Sequence, residues 1–180
     1  MSIEVEIKAW VDSYENVKKE LLEHYVFIKE YKKNDLYLRG LNSITMEEKE
    51  IRIRKVEDNS IVTYKERSHR DKVEVNIEKE FNVDDYDNFL YILKAIGFQP
   101  YIKKEKIGYL FKKEDINIEL SHVTGLGDFI EIEAILNDDS DINKATKAIY
   151  SILDNLKISR DRVEDKFYVQ MLIDKKNKSN

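Results

Sequence analysis

Carboxylates set two residues apart recur along this chain as Glu4 with Glu6 and Glu131 with Glu133, and basic side chains repeat the spacing as Arg52 with Arg54 and Lys104 with Lys106. On an extended strand such neighbours share one face about 7 Å apart, so both members of a pair can aim at one point. Two carboxylates about 4 Å apart repel by roughly 4 kcal/mol at an effective dielectric of 20, and must protonate, pair or bind a cation. Oxygen donors without histidine or cysteine favour Mg²⁺ or Mn²⁺. The basic set, Arg52, Arg54, Lys65, Lys104 and Lys106, suits phosphate oxygens, arginine as a two-pronged fork and lysine as a mobile point charge. Acid pairs for metal beside basic groups for phosphate amount to a triphosphate site.

These residues lie in segments of period-two alternation. Ile3, Val5, Ile7 and Ala9 fall on one face, Glu4, Glu6, Lys8 and Trp10 on the other. The same rhythm marks residues 51–54, 61–67, 73–83, 116–123 and 129–135, and residues 33–39 and 101–112 are rich in strand formers, making about eight strands. Turn signals join several of them: Glu57 to Ser60, Lys113 to Asp115 and Thr124 to Gly127. Helical stripes run through Val17, Leu21, Leu22 and Tyr25, through Tyr86, Phe89, Leu90, Leu93 and Ile96, and through Ile142, Ala145, Ile149, Ile152, Leu153 and Leu156. Asp12, Asp84 and Asp141 stand where N-caps belong, and a last helix is expected over about Arg162 to Asp174 with Val163, Phe167 and Met171 inward.

Residues 11–16 echo residues 83–88, each following an alternating strand that carries Glu-x-Glu, Glu78 and Glu80 in the second case. A third such strand, with Glu131 and Glu133, also runs into a helix. For one strand, the ordinary reading puts the charged face in water. Most strands here share the arrangement, so outward apolar faces beneath helices and charges lining a wet interior form the alternative. The expected fold is α+β: a closed eight-stranded antiparallel β-barrel with helices packed outside.

Length and charge limit the rest. The 180 residues suit one domain, expected over 1–174, with an unstructured tail over 175–180. A formal net charge of −5 disfavours nucleic acid and anionic membrane as partners. No apolar run reaches the roughly 20 residues of a membrane span, and the expected location is cytoplasmic. The absence of cysteine removes thiolate sites and disulfides. His24, His69 and His122 share no metal-like spacing: His24 is expected on a helix surface, His69 in a loop, His122 pointing away from the bore. Arg67, Arg70 and Lys72 are expected in a solvated loop, and Trp10 in packing.

Taken in order, Glu4-x-Glu6-x-Lys8, Arg52-x-Arg54, Lys65, Lys104-x-Lys106-x-x-Tyr109 and Gly125-Leu126-Gly127-Asp128-Phe129-x-Glu131-x-Glu133 resemble the motifs of the CYTH superfamily, the triphosphate tunnel metalloenzymes. The resemblance implies an eight-stranded antiparallel tunnel holding two divalent metals, Mg²⁺ or Mn²⁺, and ATP or another triphosphate. By that resemblance Glu4, Glu6, Glu131 and Glu133 are metal ligands or their close supports. Lys8, Arg52, Arg54, Lys65, Lys104 and Lys106 would hold phosphates, Lys104 and Lys106 also stabilising the reacting one. Tyr37 and Tyr109 accompany the motifs, and Glu78 and Glu80 are either tunnel residues or members of ion pairs.

The Gly-Leu-Gly stretch looks most like the class IV adenylyl cyclase branch, in which a homodimer is ordinary. That branch implies attack of the ribose 3′-hydroxyl on the α-phosphate, giving cyclic AMP and pyrophosphate. Triphosphatases of inorganic, thiamine or nucleoside triphosphates, and a non-catalytic binder, are the alternatives. Two positions depart from the pattern. Ser121 stands where aspartate is common, with Glu119 on the same strand face, and Lys106 stands where arginine is usual.

Overall fold

The computed structural model describes residues 2–40, 49–56, 59–70 and 72–178. The eight expected strands form as β1 (Ser2–Trp10), β2 (Val26–Gly40), β3 (Lys49–Val56), β4 (Asn59–Arg70), β5 (Val73–Val83), β6 (Phe98–Lys113), β7 (Ile116–Val123) and β8 (Gly127–Leu136). All neighbours are antiparallel in the order β1-β5-β4-β3-β2-β6-β7-β8, and β8 pairs back onto β1, so the sheet closes into a ring. Closure removes the unpaired edges that an open sheet would leave. At the β7–β8 turn, Gly125 and Gly127 adopt φ of 85° and 135°, a backbone that other residues rarely take.

The apolar faces of the strands point outward and the helices cover them. Helix α3 (Ile142–Asn155) buries Ile142, Ala145, Ile149, Ile152 and Leu153 against Val5, Ile7 and Ala9 of β1 and Ile130 and Ile132 of β8. Each of the valine, leucine and isoleucine side chains, fully buried, stabilises the fold by about 1.5–3 kcal/mol. Helix α1 (Tyr14–His24) buries Val17 and Leu21 but leaves Leu22 exposed. Helix α2 (Tyr86–Ala95) buries Leu93 beside Leu38, Ile53 and Val62, while Ile96 lies exposed beyond its end. The strands that run into helices, β8, β1 and β5, are adjacent in the ring. Among the described residues no helix is long and apolar enough to cross a membrane.

Several boundaries differ from the sequence reading. Strand β2 starts at Val26 instead of Lys33, because β6 supplies partners as far as Lys112. The last helix, α4, spans Tyr168–Lys178, preceded by a short 3-10 turn at Arg160–Arg162. Residues 175–178 are therefore helical, where an unstructured tail was expected; Ser179 and Asn180 lie outside the described residues. So do Glu57 and Asp58 of the expected turn, whose flanks Val56 and Asn59 pair. The caps shift by one position at two helices, to Ser13 and Asp85, with Asp85 accepting the Asn88 N–H at 3.0 Å. Asp141 caps α3 but accepts no side-chain bond. Arg67, His69 and Arg70 belong to β4 and not to a loop, while Lys72 lies in a turn.

Candidate functional site

Alternation puts every second residue of each strand inside the ring. The inner cavity, about 290 Å³, is lined by Glu4, Glu6 and Lys8 of β1, Lys33 and Tyr37 of β2, Arg52 and Arg54 of β3, and Lys65 and Arg67 of β4. The lining continues with Glu74, Glu78 and Glu80 of β5, Lys104 and Lys106 of β6, Asn117 and Glu119 of β7, and Glu131 and Glu133 of β8. Register sets Glu6 opposite both Glu74 and Glu133, and Lys8 opposite Glu131.

One group of these side chains is acidic with too few cations. Lys65 Nζ donates to Glu4 and Glu6 at 3.2 Å each and lies 2.7 Å from Glu78. Asn76 donates to Glu6 at 3.1 Å and Asn117 to Glu133 at 3.4 Å. Burial, with repulsion from Glu133, Glu78 and Glu6, pushes the Glu4 carboxyl up to about 9 despite Lys65. Burial and the Glu6 charge push Glu133 up to about 7. Burial works against the Lys65 charge, but Glu6, Glu78 and Glu4 outweigh it and hold that ammonium well above its usual range.

A second group is rich in cations. Lys106 donates to Glu119 at 2.6 Å and to Glu131 at 2.7 Å. Lys33 also donates to Glu119, as does the Tyr31 hydroxyl at 2.8 Å. Asp35 accepts from Arg54 at 2.7 and 3.0 Å and pairs with Lys104 at 3.2 Å. Burial lowers Lys104 to about 8, with Lys106 and Arg52 adding to it against Asp35. Burial and Lys106 lower Lys33 to about 8. Burial alone would raise Asp35 and Glu119, but Lys104 and Arg54 hold the first, and Lys106 and Lys33 the second, well below the usual carboxylate range.

The remaining charges are paired across strands: Lys8 with Glu74 at 2.7 Å, Arg52 with Glu80 at 3.3 Å, and Arg67 with Glu50 at 2.8 Å. Glu78 and Glu80 are thus both lining residues and ion-pair members. Glu131 has Lys106 and the Tyr168 hydroxyl as partners, the latter at 2.7 Å, and so sits on the cationic side.

Tyr37 is buried in the lining, with Lys104 Nζ 5.3 Å from its ring. Tyr109 is not there. Three residues beyond Lys106, it falls on the outer face of β6 beside Tyr14 and Phe27, under the Lys18 ammonium. The inner position next to it is Gly108, opposite Ser121; a Cβ at Gly108 would lie 2.2 Å from the Leu120 carbonyl oxygen. Ser121 is fully buried and its Oγ has no partner. His122 faces outward, exposed, 2.6 Å from Asp128, and His24 is exposed on α1 beside Glu20.

The sequence reading missed Lys33, Asp35, Arg67, Glu74 and Asn117, although strand parity with Tyr37, Lys65, Glu78 and Glu119 carried the signal. Phe167 and Tyr168 come from outside the strands and had no such signal. Arg67 stacks on Phe167 at 4.2 Å, and the His69 ring lies 4.9 Å away.

Among the described residues no three histidine or carboxylate side chains are drawn together as around a metal; the Lys65 ammonium holds the point where Glu4, Glu6 and Glu78 meet. The donor set nonetheless fits a hard divalent ion, being all oxygen, with Glu4, Glu6 and Glu133 repelling one another for want of positive charge.

The CYTH domain family profile matches residues 2–168. A curated Methanocaldococcus jannaschii protein, provisionally named an adenylate cyclase, is 34% identical over 172 residues, 94% of this chain and 98% of its own. A solved Pyrococcus horikoshii OT3 protein superposes with a TM-score of 0.80 at 28% identity, covering 93% of this chain and 98% of its own. A Hippeastrum protein, provisionally an adenylyl cyclase and described as having a dominant triphosphatase activity, has the same fold with a TM-score of 0.69. It is 13% identical, with 97% of this chain and 96% of its own covered.

Proposed function

Because this chain belongs to the CYTH domain family, we propose that its ring is a triphosphate tunnel in which ATP is converted to cyclic AMP and pyrophosphate. The observation that carries the reading is the division of the bore into a side where Glu4, Glu6 and Glu78 share the Lys65 ammonium and a side where Lys33, Arg54, Lys104 and Lys106 meet Asp35, Glu119 and Glu131. A triphosphate bound with divalent metal suits both sides at once. In this reading Glu4, Glu6 and Glu133 hold the metal, two Mg²⁺ or Mn²⁺ per site, and Glu131 supports Lys106. The metal supplies Lewis-acid polarisation of the phosphates and of the attacking hydroxyl.

The chain's own residues do the rest. Arg52 and Arg54 fork onto phosphate oxygens, Lys8 and Lys65 balance charge, and Lys104 and Lys106 stabilise negative charge developing at the reacting phosphate. Glu119 does not make up for the serine at 121 as a base, because a carboxylate held that far below its usual range takes up a proton poorly. The choice of ATP follows the name of the 34% identical relative.

Hydrolysis of a triphosphate is the second reading, and a specific observation favours it. Among the described residues the lining is mostly charged, with Tyr37, Ile135, Phe167 and Tyr168 to offer a base a surface, and its 290 Å³ is at the small end of ligand pockets. Incubation with ATP and Mg²⁺ or Mn²⁺ separates the readings: cyclic AMP with pyrophosphate supports the cyclase, orthophosphate the hydrolase, and bound but unchanged ATP a binder. 3′-Deoxy-ATP should bind without turnover, and a cyclic product from it would refute attack by the 3′-hydroxyl.

A further inference from the structure

We propose that Tyr168, at the start of α4, is a positioning residue for the phosphate-binding lysines: its ring gathers three ammonium groups at one wall of the bore while its hydroxyl fixes Glu131. The inference rests on the triphosphate reading and deepens it. Lys8, Lys104 and Lys106 Nζ lie 5.4, 5.0 and 5.9 Å from the ring centroid, all within the range in which a ring face attracts a cation. The residue is only 8% exposed, so these attractions act where water screens them little. Its edge is fixed by Phe129, T-shaped at 5.0 Å, and its hydroxyl donates to Glu131 at 2.7 Å.

The three lysines come from β1 and β6 and each also pairs with a carboxylate, Lys8 with Glu74, Lys104 with Asp35, and Lys106 with Glu119 and Glu131. The ring quadrupole draws the three ammonium groups to one place without adding further negative charge, so a phosphate can compete with the carboxylates for them. Packing alone asks only for an apolar side chain at 168, whereas the proposal asks for an aromatic face.

The test compares wild type, Tyr168→Phe and Tyr168→Leu for binding of inorganic tripolyphosphate in EDTA by calorimetry, with urea midpoints measured alongside. Leucine should weaken binding by about tenfold while phenylalanine stays within about twofold of wild type. Equal binding by wild type and the leucine variant, or equal loss in both variants, overturns the proposal. Should the leucine variant not fold, wild-type NMR decides: the ε-methylene protons of the three lysines should be shifted upfield by the ring, and ordinary positions overturn it. Failure of wild type to bind tripolyphosphate would overturn the triphosphate reading as well, whereas unchanged binding in Tyr168→Leu removes this inference alone.

Discussion

At the scale of single residues, the bore contains carboxylates and lysines whose charges are unfavourable as they stand, and that can be measured without knowing the substrate. Glu133 is buried and repelled by Glu6, so neutralising it should not weaken the metal-free protein. Glu133→Gln is expected to lose at least about a hundredfold in metal-dependent turnover while its melting temperature in EDTA stays level or rises. Unchanged turnover would remove Glu133 from the metal set. Burial, with Lys106 and Arg52 nearby, lowers Lys104 to about 8, and a phosphate favours its charged form. Tripolyphosphate affinity should thus fall as pH rises above about 8, since binding then takes up a proton. Lys104→Arg, charged throughout, should flatten that fall; a fall of the same steepness in the variant would point elsewhere. Sequence spacing was enough to put Glu4, Glu6, Arg52, Arg54, Lys104, Lys106 and Glu133 on strand faces that the structure turns into the bore. It misjudged Tyr109, although a count along β6 from Lys106 puts that side chain on the outer face.

Among the elements, β6 and β7 carry the tightest constraint. Gly108 is the inner residue facing Ser121, and a methyl group there would meet backbone, which cannot swing aside. Gly108→Ala should force the two strands apart at a cost of about 2–3 kcal/mol. A ΔΔG of this size lowers the melting temperature by several degrees in a chain of this length. Calorimetry showing no change would mean that β6 relaxes freely. The same close approach leaves little room at 121, which gives the serine a local steric setting. Strand existence was legible because alternation is a local property. The start of β2 at Val26 was not, since its partners lie in β6, some eighty positions along the chain. Arg67 was expected in a loop, whereas a hairpin with β5 extends β4 to Arg70, where the charged run Arg67 to Lys72 hid the alternation.

For the molecule as a whole, closure concentrates acidic and basic groups in one volume, and stability becomes tied to pH and to divalent ions. Glu4 and Glu133 titrate near 9 and 7 when folded, above their ordinary value, so the folded state binds more protons than the unfolded one across that range. Metal-free protein should accordingly lose stability as pH rises from about 5 to about 7, and added Mg²⁺ or Mn²⁺ should restore it, more at the upper end. Melting curves in EDTA that stay flat or rise over that interval would contradict this. Asp35 and Glu74 act in the opposite direction. Their depressed values contribute stability that is present above the ordinary carboxylate range and lost as pH falls through it, so the optimum should lie near pH 5. The amino-acid order alone determined which residues alternate, and therefore which carboxylates, arginines and lysines share a strand face. Only the closed sheet decided that those faces look inward, that Lys65 stands among Glu4, Glu6 and Glu78, and that Tyr168 reaches Glu131 from thirty-seven residues away. Alternation is fixed between adjacent residues, whereas the side of the sheet that water occupies depends on how distant strands pair and where the helices lie.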